Sequence, residues 1–183
     1  MLVTPFAYSR KWTRVSEKFI ASLSKNMTIQ KATKKDLASI AKIASESFSG
    51  FKDLKKSKKW VSCNFLAFPR GQYFVAKNKD NILGYALWVE KGGFRKESVF
   101  ELEQLAVKKD FQGQGIGTEI IKKSFLEIKK YVAKRGDSLK IVEVTTGTDN
   151  KAQNLYKKTL GAEPECVIKD FFSRDELIMI ARL

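Results

Sequence analysis

Apolar and polar positions along the chain change period several times, and each change marks an element. Met27 opens the segment Met27-Thr28-Ile29-Gln30-Lys31-Ala32-Thr33, within which Ile29 to Ala32 predicts a short strand. Thr33 followed by Asp36 has capping-box spacing, so a helix starts there. Leu37, Ile40, Ala41, Ala44 and Phe48 recur at helical period to about Ser47, and Gly50 stops the run. Residues 51–68 predict a looser helical region with Phe51, Leu54, Val61 and Phe65 inward and lysines outward. Pro69-Arg70-Gly71 is a turn. Three strands follow, Gln72 to Lys77, Ile82 to Glu90 and Ser98 to Val107. They are separated by the polar turn Asn78-Lys79-Asp80-Asn81 and by Lys91-Gly92-Gly93. Their spacing predicts an antiparallel meander.

The period then lengthens. Ile116, Ile120, Ile121, Phe125, Ile128 and Val132 lie at helical spacing through Ala133, and Gly136 ends that helix. Leu139 to Val144 is a β-branched strand. A helix from about Asn150 to Thr159 follows, with Gly161 as its stop. Two last strands, about Cys166 to Phe171 and Glu176 to Arg182, flank the Ser173-Arg174-Asp175 turn. The order is β α α β β β α β α β β. It predicts one α/β domain over residues 27–183, preceded by an N-terminal extension over residues 1–26.

Composition adds exclusions. The chain has 183 residues, 43% hydrophobic and 11% aromatic, enough for a core, so global disorder is excluded. It has no histidine, which removes Ser-His-Asp triads, Cys-His dyads and zincin motifs. Cys63 and Cys166 form no CxxC pair, so no metal site and no disulfide scaffold is expected. No run of 18 apolar residues exists, so no membrane span is expected. The first 26 residues carry five basic residues and one acid, Glu17, without the apolar stretch of a secretory signal. A cytoplasmic protein is the expectation.

The net charge of +15 invites nucleic acid as a partner. Its distribution argues against that. The charge comes from 28 Lys and only 7 Arg, in pairs scattered on polar helix faces, whereas base and phosphate forks favour Arg. A solvated surface or a site for a small polyanion fits better.

Such a site is readable. Between the third meander strand and the long helix runs Leu105-Ala106-Val107-Lys108-Lys109-Asp110-Phe111-Gln112-Gly113-Gln114-Gly115-Ile116-Gly117-Thr118. Free N–H groups and the helix dipole favour an anion at such a start, and glycines let a phosphate approach the backbone. The dinucleotide fingerprint fails, because its third glycine is Thr118 and no βαβ unit opens the chain. A Walker A loop fails for want of Gly-Lys-Ser/Thr.

Gln112, Gly115 and Gly117, in the pattern Gln-x-x-Gly-x-Gly, resemble the coenzyme A pyrophosphate loop of the GNAT superfamily of N-acetyltransferases. Leu105-Ala106-Val107 resembles that family's bulged strand. Asn150 to Ala162, with Ala152, Tyr156, Leu160 and Gly161, resembles its second signature, with Ala162 where Phe is usual. The likeness covers about Met27 to Leu183. It implies a mixed, mostly antiparallel sheet, splayed at the strand carrying Leu105–Val107 and flanked by about four helices. It implies acetyl-CoA as co-substrate, held by Leu105, Ala106, Val107, by the loop Gln112, Gly113, Gln114, Gly115, Ile116, Gly117 and Thr118, and by Asn150, Ala152 and Tyr156.

The resemblance further implies direct acetyl transfer to a primary amine, with no covalent enzyme intermediate. Tyr156 is then the acid beside the leaving sulfur, and a backbone N–H of the bulged strand polarises the carbonyl. The base stays open among Glu101, Glu103 and Glu143. Glu101 aligns better, and Glu143 resembles the catalytic carboxylate of the ribosomal-protein alanine N-acetyltransferase subgroup. The acceptor pocket is implied at residues 48–68 and 170–174, where Phe51, Trp60, Phe65, Phe171 and Phe172 are candidate lining. The acceptor is unidentified, peptide or small molecule, and a homodimer stays open. The competing expectations are a basic nucleic-acid-binding module and a catalytically silent acyl-CoA-binding protein on the same fold.

Overall fold

The computed structural model describes residues 26–79 and 81–183. The expected extension over residues 1–26 therefore lies, but for Asn26, outside the described residues, as does Asp80 of the polar turn.

Strand β1 spans Thr28–Lys31, and a 3-10 turn, Lys34–Asp36, leads into helix α1, Leu37–Ser47. Asp36 Oδ2 accepts from the Thr33 N–H at 2.8 Å and from the Thr33 hydroxyl at 2.9 Å. Its other oxygen meets Lys77 Nζ at 3.3 Å, tying this turn to the sheet. Burial alone would raise the Asp36 pKa, but the two Thr33 hydrogen bonds and Lys77 outweigh it and hold it below the usual range. A depressed folded-state pKa gives stability that is present above the unfolded pKa, near 3.9, and lost as pH falls through the folded one. Asp36→Asn is expected to cost about 2 kcal/mol at neutral pH, the scale of charge-assisted hydrogen bonds. The difference from the parent should shrink toward zero in urea titrations run below pH 3.9, and a pH-independent difference would refute this account.

Helix α2, Leu54–Leu66, is capped by Asp53, whose carboxylate accepts the Lys55 and Lys56 N–H groups at 2.8 and 3.3 Å. Val61 of its expected inward set is buried, but Leu54 is 41% exposed. The meander follows as β2 (Gly71–Asn78), β3 (Asn81–Lys91) and β4 (Glu97–Val107). Then come α3 (Ile116–Lys134), β5 (Ser138–Gly147), α4 (Gln153–Leu160), β6 (Glu163–Ile168) and β7 (Glu176–Arg182). The seven strands form one sheet in the order β1-β2-β3-β4-β5-β7-β6. Every pairing is antiparallel except β4 with β5, which the α3 crossover makes parallel.

Alternation along the strands sends side chains to two cores. Tyr73, Val75, Tyr85 and Leu87 face α1 and α2, packing on Ile40, Ile43, Ala44 and Val61. Phe74, Ala86, Trp88 and Phe100 face the other way, onto Ile116, Ile120, Ile121, Ile128 and Val132 of α3. Buried Trp88 donates its Nε1–H to Ser124 Oγ at 2.8 Å, and Ser124 donates in turn to the Ile120 carbonyl at 2.6 Å. The far end of α3 is fastened by Arg135, whose two terminal nitrogens meet the buried Glu90 carboxylate at 2.9 and 2.6 Å. Arg135 also donates to Ser98 at 2.7 Å and pairs with Asp137.

Several boundaries differ from the sequence reading. The last helix begins at Gln153 rather than Asn150, because Asn150 Oδ1 accepts the Ala152 N–H at 2.9 Å and folds that stretch as a turn. Strand β6 ends at Ile168, not Phe171, and begins three residues earlier than expected. Asp170 there has φ +49°, which ends the extended run, and Phe171 and Phe172 sit in the turn.

Candidate active site

The site is built where β4 and β5 part. Their parallel register runs from Glu97 opposite Ser138 to Glu101 opposite Glu143, and goes no further. The upper half of β4 therefore pairs only with β3. Within it the register slips, since Leu87 faces Gln104 whereas Trp88 faces Leu102, so Glu103 is the extra, bulged residue. The bulge turns the alternation over: Phe100 and Leu102 belong to the α3 core, whereas Ala106 belongs to the α1/α2 core. Gly84 lets β3 approach β4 closely here, because a Cβ on it would lie 2.7 Å from the Ala106 carbonyl oxygen.

Beyond Val107 the chain makes the glycine loop. Gly113 and Gly115 have φ of +76° and +78°, a conformation that costs other residues about 1–2 kcal/mol. A Cβ at either would meet nothing within 4 Å, so the loop is open on its outer side. The first backbone bond of α3 runs from the Glu119 N–H to the Gly115 carbonyl, and among the described residues the N–H groups of Gly113 to Thr118 find no backbone acceptor. These are the donors a pyrophosphate needs. Two side chains expected to touch the ligand also brace the loop: Gln112 Nε2 donates to the Val107 carbonyl at 3.0 Å, and Gln114 Nε2 to that of Asp110 at 3.3 Å. Gly117 packs against Leu155 of α4, joining the loop to the second signature. Asn150 braces likewise, donating to Thr146 Oγ1 at 2.8 Å.

Tyr156 is buried, 7% exposed, and its hydroxyl has no hydrogen-bond partner among the described residues. Burial pushes its pKa up to about 12, so the phenol keeps its proton. The three candidate bases are separated by their surroundings. Glu101 and Glu143, opposite each other on the last paired rung, share one cation: Lys91 Nζ lies 3.1 Å from Glu101 Oε2 and 2.8 Å from Glu143 Oε1. Glu103 has no ion pair among the described residues. Burial, then the nearby Glu101 charge, raise its pKa above the usual carboxylate range, against the opposing pull of Arg70 and Lys91. Tyr73 and Tyr85 stand in its field, and burial foremost raises their pKa values too. Tyr85 donates to Gln104 at 2.9 Å, whereas the buried Tyr73 hydroxyl has no partner among the described residues.

Lys91, Tyr73 and Tyr85 are the residues sequence reading missed. No spacing marks them, because the sheet brings them to the glutamates from neighbouring strands. Of the aromatic residues expected around the acceptor, Trp60, Phe171 and Phe172 are exposed, whereas Phe51 and Phe65 are partly buried against the α1/α2 core. Trp60 is 48% and Phe172 73% exposed, and Phe51 sits edge-on between Phe48 and Trp60. Arg174 of the β6–β7 turn lies across Gly147 at the top of β5, where a Cβ would fall 2.4 Å from its guanidinium carbon. No described helix is long and apolar enough to cross a membrane.

The sequence profile of the Acetyltransferase (GNAT) family matches residues 37–162. A protein of Methanocaldococcus jannaschii named as an uncharacterized N-acetyltransferase is 31% identical over 158 residues, 82% of this chain. The chain spans 66% of that relative's length. Among solved structures, a mutant spermidine N-acetyltransferase from Vibrio cholerae matches with a TM-score of 0.66 at 16% identity, covering 85% of this chain and 93% of its own. A chain of the NatC complex, solved bound to Gag peptide and CoA, matches at 0.64 and 16%, covering 86% and 99%. Likeness at that identity shows the fold, and the fold is shared by proteins named for a polyamine and solved with a peptide. With the profile spanning more than half of its length, on the sheet and loop described above, the chain belongs to the GNAT family of acetyltransferases.

Proposed function

We propose that the protein transfers the acetyl group of acetyl-CoA to a primary amine by direct attack within a ternary complex. The observation that carries this reading is the open glycine loop at the start of α3, with its unpaired N–H groups, next to the split between β4 and β5. The NatC neighbour was solved with CoA bound, which supports the same ligand here. The N–H groups of Gly113 to Thr118 hold the pyrophosphate, and the free edge of Leu105 to Val107 holds the arm that follows it. The thioester supplies the activated acetyl carbon and a thiolate leaving group.

The chain's residues then manage protons. An amine must be neutral to attack, and ordinary amines titrate near 8 to 10.4. Glu103 is the base we assign, directly or through water, because a carboxylate of raised pKa that no cation holds accepts a proton best near neutral pH. Glu101 and Glu143, the latter resembling the carboxylate of the ribosomal-protein alanine subgroup, are held by Lys91. Tyr156 holds its O–H toward the departing sulfur. The nitrogen loses one proton on attack and the sulfur gains one on release, so the reaction yields an amide and free thiol without a net change.

Release of free thiol from acetyl-CoA, followed over a panel of peptides, polyamines and aminoglycosides, tests this. Absence of acetyl-CoA binding by calorimetry at millimolar concentration would overturn it. Glu103→Gln is expected to lower kcat/KM about 100-fold, the lower end of a positioned base's contribution. It should also abolish an acid limb lying above the ordinary carboxylate range. A kcat/KM profile against pH that keeps this limb in the variant assigns the base elsewhere.

A further inference from the structure

Below the split, on the face of the sheet that α1 and α2 leave bare, lies a cavity of about 650 Å³. Its floor is Val99 and Ile141, and its inner end is the Lys91 and Glu143 pair, so it is continuous with the candidate site. Its outer end is the β3–β4 hairpin, with Arg95 and Lys96. The implied acceptor region at residues 48–68 and 170–174 does not line it.

The two ends differ in charge. At the inner end two carboxylates, Glu101 and Glu143, share the single Lys91 cation, which leaves one negative charge. Beside the outer end, Lys140 and Glu97 neutralise each other at 2.9 Å. At the outer end Arg95 donates only its Nε–H, to the Gly92 carbonyl at 2.9 Å, and neither Arg95 nor Lys96 has an acidic partner among the described residues. The cavity is therefore negative where it meets the split and positive at its mouth. Glu101 and Glu97 are four residues apart on β4, so the ends are separated by about 13 Å at the strand rise of about 3.3 Å per residue.

We propose that this cavity is an acceptor subsite for an acidic peptide. The peptide's amine lies toward Glu101 and Glu143, and a carboxylate at its third or fourth residue lies against Arg95 and Lys96. An extended peptide rises at the same rate as β4, which sets that spacing. A polyamine meets repulsion at the outer end, and a polynucleotide meets it at the inner end. The proposal rests on the acetyl-transfer reading for which end the amine occupies.

The test uses six-residue peptides with free N-termini and a C-terminal fluorophore: Ala-Ala-Glu-Glu-Ala-Ala, its Ser-Ser and its Lys-Lys counterparts. Binding is read by anisotropy and turnover by free thiol. The acidic peptide should bind, and be acetylated with a lower KM, about tenfold better than the Ser-Ser peptide, as two exposed charge contacts allow. The Arg95→Gln/Lys96→Gln double variant should erase that preference. A control pair on the opposite face, Lys122→Gln/Lys123→Gln, changes net charge equally and should keep it. Equal binding of all three peptides, or a preference equally lost in both variants, overturns the proposal. So does a single-stranded oligonucleotide that binds while the peptides are not distinguished. If no peptide is acetylated and acetyl-CoA does not bind, the transfer reading fails, and anisotropy still decides the subsite.

Discussion

Tyr156→Phe is expected to slow acetyl transfer about 100- to 1,000-fold, the scale of one lost hydrogen-bond donor at a developing charge. The ring is part of the α3 core, so Phe keeps the packing and loses only the hydroxyl. Acetyl-CoA affinity by calorimetry and unfolding by urea should both match the parent. The hydroxyl's pKa, pushed up to about 12 by burial, sharpens its role. An ordinary thiol titrates near 8.5, so full proton transfer from this phenol to a thiolate runs uphill by roughly three units. In the proposed mechanism Tyr156 therefore donates a hydrogen bond to the sulfur as charge builds there. The parent should accordingly show no alkaline loss of kcat attributable to a phenol below pH 10. A Phe variant within threefold of the parent would remove Tyr156 from the mechanism.

The second large effect concerns stability. Arg135→Met leaves Glu90, its side chain 1% exposed, as a buried carboxylate without its guanidinium partner. Removing one member of such a pair costs about 3–5 kcal/mol. For a domain of this size that lowers Tm by about 10 °C. Phe94 and Tyr131, which flank the guanidinium at 4.8 and 5.3 Å, lose their cation as well. The double variant Glu90→Gln/Arg135→Met should recover much of the loss, because no charge is then stranded. Urea unfolding of the three proteins checks this. A single-variant loss under 1 kcal/mol, or no recovery in the double variant, contradicts it.

The order of strands and helices was legible because most elements carry one clear period. Ile116 to Val132 on α3 and the alternation along β4 are examples. Strand β6 was misplaced because Glu163-Pro164-Glu165 shows no apolar alternation. It is an edge strand with an exposed outer half, where proline and charge are tolerated. Its one apolar run, Cys166 to Ile168, drew the expected strand too far downstream. The glycine loop was legible for a local reason: Gly113 and Gly115 take positive φ, and composition records that need directly. The environment of the glutamates was not. Sequence left the base open among Glu101, Glu103 and Glu143, and only the sheet gives Glu101 and Glu143 the Lys91 cation and sets Glu103 where its charge acts on Tyr73 and Tyr85. The roles of Gln112 and Asn150 were hidden similarly, since their amides brace loops over a few residues.

The shared cation at the last rung has an evolutionary consequence. Lys91 sits on β3, Glu101 on β4 and Glu143 on β5, yet one ammonium satisfies both acids. Losing the lysine alone sets two carboxylates against each other, and losing one acid alone shifts the charge the cavity presents to its ligand. Neither step is neutral. The three positions are therefore expected to vary together among relatives rather than one at a time.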